Sequence, residues 1–312
     1  MIERSRFFLL AILFLFLTIS SSEGQTSTVL VNEQFNGSFI DTSVFTFSGP
    51  GPESFFGRTQ LNSPGLPGLF DAPPVSNGSL MLRLNTFNPF GSAAGNLFLA
   101  DEIRTIQQFA PTPTTSLTYE IRARFVDDAV NPLGPGLVGG LFTFGVDANF
   151  PNPNERDEVD FELLSNFPDF VLTNVFDDQG FSSAGSGQFA NLFNLDPTVQ
   201  PSPQTTDFID YRLEVSTSSI DFFINDVLVR SETNLLAIEP QDFRLNINAP
   251  DQFFASAFSA DLQPTANPDL NETFILEVDS LVITETSSIP EPAAGTIMML
   301  SGLALLRRRR SV

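Results

Sequence analysis

The residues Asp157-Glu158-Val159-Asp160-Phe161-Glu162-Leu163-Leu164 alternate acidic and apolar side chains with a period of two, the period of a β-strand. Successive strand side chains point to opposite faces, so Glu158, Asp160 and Glu162 share one face while Val159, Phe161 and Leu163 turn toward a core. Like charges that neighbour each other on one face repel. Where water is partly excluded, one of them keeps its proton at neutral pH, and a carboxylic acid beside a carboxylate is the pair required to break a glycosidic bond. The spacing alone leaves a second reading open, because polar residues alternating along an antiparallel strand also form an ordinary solvated face. Positions i and i+4 of a strand lie about 13 Å apart, whereas a carboxyl that attacks and a carboxyl that protonates the same linkage stand about 5 Å apart. Glu158 and Glu162 therefore have to lean together over Asp160, on a strand bent into a concave sheet.

Away from this segment the same period recurs, with no internal repeat and no heptad. Strands are expected at 28–31, 79–84, 116–125, 159–164, 210–215, 220–224, 227–230 and 276–284, with turn residues between them. The clearest local unit is the hairpin over 219–230, where Asn225-Asp226 joins two β-rich runs and tolerates the positive φ of a two-residue turn. Pro/Gly-rich segments at 48–74 and 131–140 read as loops on a sandwich, since neither side of them holds an independent pattern. One all-β domain over 26–286 is expected.

Both ends carry targeting patterns. Arg4 and Arg6 precede an apolar run from Phe7 to Leu17, and small residues follow at Ser20 and Ser22, so residues 1–24 read as a secretory signal peptide for a signal peptidase. At the other end Pro290-Glu291-Pro292 precedes fourteen mostly apolar residues, 293–306, and then Arg307 to Arg310. Fourteen residues fall short of the roughly 20 that span a bilayer, and a basic cluster stays on the cytoplasmic side. The three parts over 289–312 resemble the PEP-CTERM sorting signal of exported Gram-negative proteins, which implies cleavage by an exosortase near Pro290-Glu291-Pro292. Transient contact with the membrane through these segments, and a final place at the cell surface or in the extracellular matrix, are the corresponding expectations.

Composition removes most other chemistries. The 312 residues contain no Cys, His or Trp, and all fifteen basic residues are Arg. A cysteine nucleophile, a Ser-His-Asp triad, a His- or Cys-ligated zinc, a disulfide framework and a lysine Schiff base are thereby excluded. Carboxylates are the chemistry left. The overall charge is −22, and since the ends carry +1 (residues 1–22) and +3 (residues 289–312), residues 23–288 carry −26. Such a domain repels nucleic acid and disfavours sulfated or uronic-acid polymers. No cofactor is expected. The many hard oxygens suit calcium, but no EF-hand-like spacing assigns a metal site.

The acidic segment is similar to the signature of glycoside hydrolase family sixteen, Glu-[Ile/Val]-Asp-[aromatic/aliphatic]-Glu, and with Thr173-Asn-Val-Phe176 it resembles the laminarinase, lichenase and xyloglucan transglucosylase group. Ala100-Asp-Glu-Ile-Arg104, Tyr119-Glu-Ile-Arg-Ala-Arg124, Asp210-Tyr-Arg-Leu-Glu-Val and Val278-Asp-Ser-Leu-Val-Ile283 extend the likeness over most of 26–286. The resemblance implies a concanavalin A-like jelly roll, a β-sandwich of two curved antiparallel sheets. It implies Glu158 as nucleophile, Asp160 as the residue that orients and tunes the pair, and Glu162 as general acid/base. Phe142 and Phe144 fall near the place of a Trp-bearing strand, and Asn174 is positioned to bond a sugar or Glu162, so these three are the candidate substrate-binding residues. The chain departs from the family in having no Trp, no His and only Tyr119 and Tyr211 as tyrosines, with 34 Phe instead. Two functions are thus carried forward. One is a secreted endo-β-glucanase-like hydrolase, retaining, acting on a neutral β-glucan. The alternative is a non-catalytic carbohydrate-binding or extracellular-matrix protein on the same fold.

Overall fold

Alternation of buried and open side chains makes strands of most of the described residues, which in this computed structural model are 24–48, 55–63, 71–89, 97–146, 156–177, 187–195 and 202–289. Residues 1–23 of the expected signal peptide, and 290–312 with Pro290, Glu291 and Pro292, lie outside them. In chain order the strands are β1 (Gly24–Glu33), β2 (Phe45–Phe47), β3 (Phe55–Phe56), β4 (Thr59–Leu61), β5 (Val75–Ser76) and β6 (Ser79–Asn85). There follow β7 (Phe98–Ala100), β8 (Glu102–Thr105), β9 (Thr115–Phe125), β10 (Val138–Val146), β11 (Arg156–Leu164) and β12 (Phe170–Phe176). The last six are β13 (Gln188–Asn191), β14 (Ile209–Val215), β15 (Ile220–Ile224), β16 (Val227–Glu232), β17 (Asp242–Asn248) and β18 (Thr273–Ile289). Residues Thr28–Glu285 form one compact unit.

Two sheets result. The larger has eleven strands, in the order β16-β15-β14-β9-β18-β6-β7-β4-β3, with β1 on β18 and β5 on β6. The smaller has seven, in the order β13-β12-β11-β10-β17-β8-β2. Pairing is antiparallel wherever the site lies, although β4 and β7 run parallel, a departure from the expectation of wholly antiparallel sheets. The architecture is an all-β jelly-roll sandwich.

Period two explains which side of each sheet is the core. Val159, Phe161 and Leu163 of β11, and Phe243, Leu245 and Ile247 of β17, are buried, and so are Tyr119 and Ile121 of β9 and Tyr211 and Leu213 of β14. Aromatic contacts link the two layers. The Phe161 ring lies 5.3 Å from Tyr211 and meets Phe222 edge-on at 5.4 Å, while Tyr119 stacks on Phe243 at 5.4 Å. The scarce tyrosines are therefore core residues.

The hairpin expected at Asn225-Asp226 joins β15 to β16, and both residues take positive φ, 48° and 63°. Arg230 of β16 turns inward, its Nη1 donating to the Thr173 carbonyl of β12 at 2.9 Å and its Nη2 to Glu232 at 3.2 Å, with the guanidinium 5.2 Å from the centre of the Phe222 ring. The two Pro/Gly-rich segments are not wholly loop. Residues 48–74 contain β3 and β4, and β10 begins at Val138 inside the segment read as loop to residue 140. Gly139 and Gly140 carry no strand propensity of their own, but the pairing of β10 with both β11 and β17 fixes them in the sheet.

Candidate active site

The seven-stranded sheet presents its second face away from the core, and the register of its strands sorts the polar residues there into rows. Side chains directly opposite each other in a ladder share a face. Asn174 of β12, Asp160 of β11, Phe142 of β10, Arg244 of β17 and Arg104 of β8 stand in one row. On one side of it runs Phe176, Glu158, Phe144 and Asp242; on the other run Leu172, Glu162, Gly140, Asn246 and Glu102. The structure thus brings Glu158, Asp160, Glu162, Phe142, Phe144 and Asn174 onto one face.

This is not a solvated strand face. Asp160 is 3 % exposed and Glu158 8 %, and Glu162 is half-buried. Burial, above all, pushes the Asp160 carboxyl well above the usual carboxylate range, and the charges of Glu162 and Glu158 push it further. Asp160 is hydrogen-bonded to Glu158, which favours the protonated form of Asp160. Its Oδ1 has no hydrogen-bond partner among the described residues. The Asn174 amide donates to Glu162 Oε2 at 2.6 Å, one of the two roles expected for Asn174. Gly187, just before β13, makes room for it, since a Cβ there would stand 2.6 Å from Asn174 Oδ1.

A proton on Asp160 has a measurable sign. A carboxyl whose folded pKa is raised contributes stability that is present in acid, below its unfolded pKa, and is lost as pH rises through the folded value. Asp160→Asn keeps the shape and removes the titration. The variant is expected to gain a few degrees in thermal midpoint over the parent chain near neutral pH, with the advantage shrinking in acid. Unfolding scans from about pH 4 to about pH 9 read this directly, and a gap that does not change with pH would refute a protonated Asp160.

The sequence did not point to the neighbours on β17 and β8. Arg244 is held by Asp242 at 2.6 Å and reaches Glu102 at 3.5 Å, Asn246 donates to Glu102 at 2.8 Å, and Asn248 donates to Asn246 at 3.2 Å. All but Arg244, which stays partly open, are nearly fully buried. Gly140 is required beside them, because a Cβ there would meet Asn246 Oδ1 at 2.6 Å. The signal was the period-two pattern of Asp242-Phe-Arg-Leu-Asn-Ile-Asn248, which low strand propensities of Asp and Asn obscure. Phe144 lies under Arg244, with the guanidinium 4.2 Å from its ring centre. Phe142 is half-buried between Asp160 and Arg244. Among the described residues no group of three or more acidic side chains is arranged to hold a metal ion.

Chemically, then, the face offers a buried carboxyl with a raised pKa bonded to one glutamate, a second glutamate fixed by an amide, and a flanking network of donors and acceptors. Residues 130–273, which include β10 to β17, match the model of glycosyl hydrolases family 16. Solved structures share the fold at low identity. An endo-β-1,3-glucanase from Pyrococcus furiosus is 16% identical, with 85% of this chain and 97% of that chain covered and a TM-score of 0.60. The catalytic domain of an endo-1,3-β-glucanase (laminarinase) from Thermotoga petrophila RKU-1 is 15% identical, covering 84% and 98%, with a TM-score of 0.58. A β-1,3-1,4-glucanase (lichenase) derived from a mouse hindgut metagenome is 14% identical, covering 85% and 99%, with a TM-score of 0.57. No curated protein sequence matches the chain.

Proposed function

We propose that the chain is an exported endo-β-glucanase of the family-sixteen glycoside hydrolase type, retaining in stereochemistry and acting on a neutral β-glucan. The observation that carries this reading is the arrangement on β11, where Glu158, Asp160 and Glu162 share one face, Asp160 is buried between the two glutamates, and the Asn174 amide holds Glu162. In this mechanism Asp160 donates the hydrogen bond that it shares with Glu158, which keeps an electron pair for attack. Glu158 attacks the anomeric carbon while Glu162, oriented by Asn174, gives its proton to the departing oxygen. The resulting glycosyl ester on Glu158 is then opened by water as Glu162 takes the water's proton, and the product leaves with its original anomeric configuration.

The family match and the glucanase structures support a β-glucan as substrate. The charge of −26 over residues 23–288 favours a neutral polymer over an anionic one. In this scheme residues 26–286 are the hydrolase domain, 1–24 the signal peptide, and 289–312 the sorting segment handled by an exosortase in a Gram-negative cell envelope. One observation favours the alternative, a carbohydrate-binding or matrix protein without turnover: Arg244 covers the ring of Phe144, and no Trp exists to replace it as a sugar platform.

Proton NMR of the first products released from a soluble neutral β-glucan decides between them. The β-anomer is expected first. Glu162→Gln is expected to slow glucan cleavage roughly 10²–10⁴-fold yet to affect an aryl glycoside with a good leaving group far less. Inverted products, or binding without any cleavage, would sink the retaining-hydrolase reading.

A further inference from the structure

Three phenylalanines at the β13 end of the open face are not used by the mechanism. Phe167 lies in the turn between β11 and β12, Phe170 on β12 and Phe189 on the edge strand β13. Phe189 meets both of the others edge-on, at 6.3 Å from Phe167 and 6.2 Å from Phe170. Phe189 is nonetheless 51 % exposed and Phe167 42 %. Edge-on packing fixes the orientation of the Phe189 ring while leaving much of its surface in water.

The register says which way that ring points. Phe189 is opposite Leu172, and Leu172 is opposite Glu162, so all three share the open face in a single row. With neighbouring strands about 4.8 Å apart, Phe189 stands about 10 Å from the Glu162 position across the sheet, within the span of a few sugar rings. Leu172 between them belongs to a small apolar cluster with Val138, Leu164 and Ala257, against which Phe254 packs. That cluster is sealed, whereas Phe189 beyond it is open.

We infer that Phe189, braced by Phe167 and Phe170, is a stacking platform for a pyranose ring of the polysaccharide whose scissile bond lies over Glu158 and Glu162. This rests on the hydrolase reading above and adds to it a binding subsite on the β13 side of the catalytic row. The occupant is argued from continuity: the platform lies in the same row and on the same face as Glu162, two strands away. A phenyl face carries no hydrogen-bond donor and accepts the C–H face of a neutral sugar, and a net charge of −26 over residues 23–288 disfavours an anionic one.

The test is steady-state kinetics of Phe189→Ala, Phe189→Trp and, as a control, Phe39→Ala at another exposed ring (Phe39 is 86 % exposed). The substrate is a soluble neutral β-glucan, and each variant's thermal midpoint is recorded. For Phe189→Ala, KM is expected to rise about tenfold with a much smaller change in kcat, Phe189→Trp is expected to restore or lower KM, and Phe39→Ala is expected to behave as the parent. If the parent binds the glucan without cutting it, the same comparison is read as the dissociation constant. Parent-like KM and binding in Phe189→Ala, or a fall in kcat and thermal midpoint together with KM, would overturn the platform and leave the hydrolase reading standing. A parent protein that neither cuts nor binds any neutral β-glucan would overturn that reading and the platform with it.

Discussion

Glu158→Ala is expected to lower kcat on a neutral β-glucan by roughly 10⁴-fold or more, the scale seen when a covalent nucleophile is removed. The protein should still fold and still bind the glucan, because Glu158 is one of a row whose other members, Phe176, Phe144 and Asp242, remain in register. A second signature separates a nucleophile from a merely charged neighbour. A small anion such as azide, entering the space left by the carboxylate, should restore part of the turnover of an activated aryl glycoside and yield a product of inverted configuration. Retention of more than about a hundredth of the parent rate would remove Glu158 from the nucleophile role.

The largest expected effect on stability belongs to the residue between the two proposed reacting positions, on the opposite face. Phe161 is fully buried and touches both Tyr211 and Phe222, so it ties β11 to β14 and β15 across the sandwich. Phe161→Ala deletes a whole ring from a packed interior, which costs about 3–5 kcal/mol. That is a large fraction of the ordinary 5–15 kcal/mol of a folded domain. Denaturant unfolding of parent and variant measures the difference, and a loss below about 1 kcal/mol would show that the layers do not depend on this contact. Activity should fall as well at temperatures where the variant is still folded, since Asp160 and Glu162 flank the emptied site on the same strand.

The acidic strand was legible because its own sequence carries both halves of the pattern, acid outward and Val, Leu or Phe inward. The Asn225-Asp226 turn was legible for a similar local reason, since two residues able to take positive φ sit between two β-rich runs. The start of β10 was hidden by Gly139 and Gly140, whose place in a strand is dictated by partners 22 and more residues away in sequence. β17 was hidden for the opposite reason. Its Asp and Asn residues disfavour strands in isolation and are stable there only as members of a buried network with Glu102 and Arg244. Repulsion along the acidic strand was readable, but its outcome on Asp160 depended on burial that the flanking strands create. The role argued for Phe189 could not be read from its sequence neighbours, because the exposure of one Phe among 34 is a property of the finished sheet.

The inward turn of Arg230 bears on how this protein behaves in the company of its own copies. Among the described residues β16 ends the eleven-stranded sheet, and Val227 and Leu228 on it are exposed, so the edge is of the kind on which a strand from another molecule can dock. An inward-pointing charge on an edge strand resists this, because sliding the register by one residue would swing the guanidinium out of its bonds to Thr173 and Glu232. The irregularity opposite it, where the β15–β16 register shifts between Phe222 and Phe223, twists the same edge away from flat pairing. An arginine turned inward on an edge strand is a device that disfavours the addition of further strands there.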